Sequence, residues 1–113
     1  MRTVETKIVN KVLDFQMLFV DKTISLSKRD VVSRQNGSVY VYLWNTPIAT
    51  VAKDEITLKT GGYRSVTTKS RLNAVLALAK GRWRIFQKDY AWFLYNGESG
   101  ETLSFSEGMK LPR

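Results

Sequence analysis

The sequence predicts an α+β domain, a twisted antiparallel sheet built from a β-meander and a β-hairpin with one amphipathic helix packed on it. Three observations carry this. Ser38 to Trp44 alternates β-branched and aromatic residues directly after Asn36-Gly37, a strong hairpin signal. Leu72, Val75, Leu76 and Ala79 recur at helical period. Arg82 to Lys88 and Ala91 to Tyr95 then return to strand-like runs on either side of Asp89-Tyr90.

Taken in order, Ile8, Val12, Phe15 and Phe19 fit a helix over residues 5–19, whereas Ile24 and Leu26 alternate with polar neighbours as a strand does. Residues 1–35 therefore read as an N-terminal extension whose structure the pattern does not fix, beside a sheet-plus-helix core over 36–105, the whole forming a single domain of 113 residues. After the strand 38–44, Asn45-Thr46-Pro47 turns the chain into a strand over 48–52, and Lys53-Asp54-Glu55 turns it into another over 56–59. Gly61-Gly62 breaks that pattern, Tyr63 to Val66 reads as a short fourth strand, and Thr67 and Thr68 supply hydroxyls that suit a helix start. Ala74, Ala77 and Leu78 widen the apolar helix face, and Gly81 suits its end. Asn96 to Gly100 forms a turn before a last strand over 103–105.

The chain lacks Cys and His. Thiol nucleophiles, imidazole bases and the metal sites built from either are therefore absent. Asp54-Glu55 and Glu98 through Glu101 fall at turns, where acids solvate loops, and no acid, base and nucleophile set stands out. The expectation is a protein that is no enzyme, with no cofactor and no metal. No apolar run is long enough to cross a bilayer, so a cytoplasmic location without membrane contact is expected.

The formal net charge is +8. All of the excess lies between Lys59 and Lys88, where Lys59, Arg64, Lys69, Arg71, Lys80, Arg82, Arg84 and Lys88 meet no Asp or Glu, leaving ten cations and ten anions elsewhere. Clustered like charge favours an anionic partner, although a cationic face also serves solubility alone.

Three places are candidates for holding that partner. Around the predicted helix start, Arg64, Thr67, Thr68, Lys69, Ser70 and Arg71 combine hydroxyls with cations. Cations there oppose the helix dipole, so a negative group is expected nearby, and a phosphate fits. On the strand 38–44, Tyr40, Tyr42 and Trp44 share one face and form either core or a platform on which bases stack. Along 82–88, alternation puts Arg82, Arg84, Phe86 and Lys88 on one side and Trp83, Ile85 and Gln87 on the other. Such a row suits a phosphate backbone, and it also protects a sheet edge from self-pairing.

Gly61-Gly-Tyr-Arg-Ser-Val-Thr-Thr-Lys-Ser-Arg-Leu-Asn73, followed by Trp83-Arg-Ile-Phe-Gln-Lys and Trp92-Phe-Leu, resembles a family of short bacteriophage proteins. That family carries a Gly-Gly-Trp-Arg-Thr-x-Thr-Thr-Lys-x-Arg-x-Asn pattern and a closing hairpin. Here Tyr63 stands for Trp and Ser65 for Thr. Leu43 to Ala49 resembles its first strand pair, so the likeness covers about residues 38–95. It implies a phage origin and an infected bacterial cytoplasm, and it supplies no mechanism.

The leading functional expectation is a non-enzymatic nucleic-acid-binding module. Phosphates would meet Arg64, Thr67, Thr68, Lys69, Ser70, Arg71, Arg82, Arg84 and Lys88, while Tyr40, Tyr42, Trp44, Tyr63 and Trp83 stack on bases, favouring single-stranded DNA or RNA. The alternative is a phage effector that binds and inhibits a host protein, its basic face occupying an acidic surface of that protein. A pocket for a small phosphorylated nucleotide at the helix start is a third reading. The oligomeric state is not encoded legibly.

Overall fold

A helix opens the chain because Ile8, Val12 and Phe15 fall on one face and all are buried. Thr3 caps it, its hydroxyl accepting from Thr6 N at 3.2 Å. This computed structural model describes residues 3–62 and 64–113. Helix α1 (Val4–Gln16) is followed by strands β1 (Lys22–Ser25), β2 (Asp30–Gln35), β3 (Ser38–Leu43), β4 (Thr46–Val51) and β5 (Glu55–Leu58). Helix α2 (Val66–Leu76) comes next, then β6 (Trp83–Lys88), β7 (Ala91–Asn96), β8 (Thr102–Ser104) and β9 (Met109–Pro112). The fold is α+β, with every strand pair antiparallel.

The strands form two sheets where the sequence suggests one. A six-stranded sheet runs β1-β2-β3-β4-β5-β9, and β6-β7-β8 forms a separate three-stranded sheet. The split has two local causes. The edge of β5 is taken by β9, with Ile56 opposite Leu111, and the unpaired edge of β6 is taken by the Asn73 side chain of α2. Asn73 Oδ1 accepts from Ile85 N at 2.7 Å and its Nδ2 donates to Ile85 O at 3.3 Å. No strand can pair there.

The described residues of the N-terminal extension, 3–35, prove integral to the core. Ile8, Val12 and Phe15 join Val32, Val39, Val41, Ile56, Leu58, Leu72, Val75 and Leu76 in one buried cluster, which reaches Trp83, Ile85, Trp92 and Leu94 of the second sheet. Both helices thus cover the same face of the large sheet. Its opposite face carries Tyr40, Tyr42, Thr50 and Thr57 by register. Helix α1 ends at Gln16, short of the expected Phe19, which stands 98% exposed.

Candidate nucleic-acid interface

At the start of α2 the negative group demanded by the cations is part of the chain itself. Arg71 is buried, its Nε donating to Asp30 Oδ1 at 2.7 Å and its Nη1 to Glu5 Oε1 at 2.5 Å. Ser70 Oγ donates to the same Glu5 carboxylate at 2.7 Å. That hydroxyl, the backbone N–H of Glu5 itself, the Thr3 hydroxyl and then the Arg71 charge hold the Glu5 carboxyl below its ordinary value against the opposing effect of burial. The helix is capped two residues before the expected Thr67, by Ser65, whose Oγ accepts from Thr68 N at 3.1 Å and contacts Thr68 Oγ1 at 3.0 Å. Ser65 and Val66 leave no room for the short strand expected here. Thr68, Ser70 and Arg71 therefore spend their polar atoms on the protein, and Asp30 and Glu5 neutralise the most central cation.

Of the remaining residues in that group, Thr67 and Lys69 are half-buried and Arg64 is exposed. Arg64 lies over aromatic rings, its guanidinium carbon 5.2 Å from the Phe105 centroid and 5.8 Å from that of Trp92. It also faces Glu107, whose carboxylate accepts from Thr60 N and Thr60 Oγ1, both at 2.6 Å, and from Gly61 N at 3.2 Å. Burial pushes the Glu107 carboxyl up, and these hydrogen bonds with the Arg64 charge outweigh it, so the net displacement is downward.

The expected ring row on β3 divides. Tyr40 and Tyr42 are half-buried on the outer sheet face, their centroids 6.4 Å apart and tilted by 35°. Trp44 leaves the strand, because it occupies a left-handed turn position at φ 51° with Asn45 at φ 64°. Its exposed indole borders a cavity of about 420 Å³ with Leu43, Ile48, Thr60 and Thr67. Trp83 is core, 8% exposed. Tyr63 lies outside the described residues.

The three-stranded sheet gathers what the other places disperse. Ile85, Trp92 and Leu94 point inward and are buried. On the outer face, register sets Arg84 against Tyr95, Phe86 against Phe93 and Lys88 against Ala91, with Thr102 and Ser104 beside Tyr95 and Phe93. Phe86 and Phe93 stack, 5.4 Å between centroids at 23°. Phe86 is 37% and Tyr95 42% exposed, and Tyr90 at the hairpin tip is 94% exposed. Among the described residues no Asp or Glu occupies this face by register, and neither Arg84 nor Lys88 joins a salt bridge. Phe93 and Tyr95 escaped the sequence reading because only the register against Arg84 and Phe86 puts them on the open side.

Arg82 departs from the predicted row. It precedes β6 at φ 51° and, with Lys80 and Arg84, lines a cleft at the end of α2. The cations therefore converge at the C-terminal end of this helix and on the adjoining sheet, not at its start. Among the described residues no group of three Asp or Glu is placed to hold a metal ion, and no helix is long and apolar enough to cross a membrane.

Fold and surface together define a small basic α+β protein with an aromatic, cationic face on a three-stranded sheet. The chain belongs to the Kyanoviridae Gp96 protein family, a phage protein family, which it matches over residues 1–112. That match includes the first 35 residues, beyond the reach of the resemblance seen in the sequence. No curated protein and no solved structure matches the chain.

Proposed function

We propose that this phage-family protein is a non-enzymatic module that binds single-stranded nucleic acid on the outer face of β6-β7-β8. The observation that carries the reading is the Phe86–Phe93 stack and exposed Tyr95, flanked by Arg84 and Lys88 on a face without carboxylates. Bases stack on such rings for about 1 to 3 kcal/mol each, and the cations meet the backbone between them. Duplex DNA hides its base faces and offers these rings nothing. Location in the cytoplasm of an infected cell follows as part of the same proposal.

Fluorescence anisotropy with a labelled oligothymidine and the matching duplex tests it. Single strands are expected to bind more tightly at low salt, and F86A/F93A to lose most of that affinity while its circular dichroism stays that of the folded protein. Equal binding of duplex and single strand, or an unaffected double variant, refutes the assignment. The rival occupant, an acidic surface of a host protein, shares the cations, and its capture from bacterial lysate would survive nuclease treatment.

A further inference from the structure

We infer that the cleft between the end of α2 and β6 binds the terminal phosphate monoester of a nucleic-acid strand. This rests on the nucleic-acid reading above and assigns it an end. The cleft encloses about 520 Å³, ample for a phosphate and a sugar. Lys80, Arg82 and Arg84 line it together with Glu98, Asn73 and Trp83. All three cations are exposed, and among the described residues none of them joins a salt bridge.

A second observation points the same way. Trp83 is more than nine-tenths buried, yet among the described residues its indole N–H meets no acceptor, and it is not a sealed, unsatisfied donor. Gly81, at φ 106°, stands before that nitrogen, and a Cβ there would come 3.0 Å from Nε1 and 2.5 Å from Asn96 Nδ2. The missing side chain keeps the indole donor open. An acceptor oxygen in the cleft would meet one neutral N–H and up to three cationic heads.

The C-terminal half-charge of α2 offers a simpler account of these cations. Even together with the Glu98 carboxylate it is too small for three of them, since three cations and one anion leave the lining a formal +2. The last carbonyls are also engaged, since Ala77, Leu78 and Ala79 donate back to Ala74, Val75 and Leu76. A dianionic chain end matches the charge better than an internal phosphodiester, which carries half as much. Arg84 belongs both to the cleft and to the ring face, so a strand entering by its end continues over Phe86 and Phe93.

The experiment compares three labelled oligothymidines, one with a 5′-phosphate, one with a 3′-phosphate and one with neither. One phosphorylated end is expected to bind about tenfold more tightly than the hydroxyl form, the scale of a charge-assisted contact. The K80Q/R82Q variant, altered only at exposed positions, is expected to reduce the ratio to near one while melting as the unaltered protein does. W83F, which keeps a buried ring without the N–H, is expected to lower it as well. Equal affinity of all three strands, with F86A/F93A still weakening them, overturns the cleft and leaves the sheet face standing. A ratio that survives K80Q/R82Q overturns it too, and failure of every strand to bind overturns both.

Discussion

Arg71 draws together three segments far apart in the chain, since its carboxylate partners sit on α1 and at the start of β2. Asp30 is 1% exposed, and removal of Arg71 leaves this buried carboxylate only Ser27 Oγ at 2.6 Å and the looser Arg29 Nε at 3.7 Å. We expect Arg71→Met to cost about 3 to 5 kcal/mol in chemical denaturation, most of it the penalty on Asp30. Arg71→Lys should recover little, because one ammonium cannot address two carboxylates in this fork geometry. Glu5 and Glu107 add a pH dependence of defined sign. Both carboxyls are held below the ordinary 4.5, so their stabilisation is complete above that value and fades as pH falls through the lower folded-state values. Acid unfolding followed by circular dichroism should shift to higher pH in E5Q/E107Q, and the stability difference from the unaltered protein should shrink once both carboxyls are protonated. The buried status of Arg71 was not legible in the sequence. An arginine at a helix start reads as a surface cation until one knows that α1 folds back to present Glu5.

Among the elements, hairpins carry the clearest message. Asn36-Gly37, Trp44-Asn45 and Asp89-Tyr90 all adopt two successive left-handed residues, the turn whose twist matches paired strands. The first pair states this openly. The other two put bulky Trp44 and Tyr90 where a side chain costs roughly 1 to 2 kcal/mol, and their composition concealed the turn type though not the turn. Tyr90→Gly should therefore raise the melting temperature while weakening nucleic-acid binding, a pair of opposite shifts measured on one variant. Asn73→Ala should cost about 1 to 3 kcal/mol by orphaning the Ile85 amide and carbonyl, with faster hydrogen exchange at Ile85 as its sign. Alternation identified β3, β6 and β7 because their neighbours bury one face each. Strand β9 escaped because Met109-Lys-Leu-Pro112 is short and ends in Pro, which an edge position tolerates. Strand β2 escaped because Asp30, Ser33 and Arg34 look like a loop until Arg71, Thr23 and Asp21 respectively engage them.

At the scale of the molecule, charge and core follow different geographies. The +8 was legible from counting; its focus at the far end of α2 depended on pairings between distant segments. Four cations, Lys80, Arg82, Arg84 and Lys88, adjoin the proposed path, so the logarithm of affinity for single strands should fall with the logarithm of salt at a slope of about −3. Replacing Lys80 and Arg82 together should roughly halve that slope. The core reaches the other way, into α1, and deletion of residues 1–20 would remove Ile8, Val12 and Phe15, each contributing about 1.5 to 3 kcal/mol. That truncation should leave an aggregating chain on size-exclusion chromatography.

The three indoles are also sorted by environment: Trp83 and Trp92 lie in the interior, and Trp44 is 65% exposed on its turn. Intrinsic emission therefore has two sources of different colour. Acrylamide should extinguish the red-shifted Trp44 component first, and a W44F protein should glow blue until it unfolds. In that background the light comes from the two rings behind the three-stranded sheet, so any change in it when an oligonucleotide is added reports on that sheet and its cleft without a label.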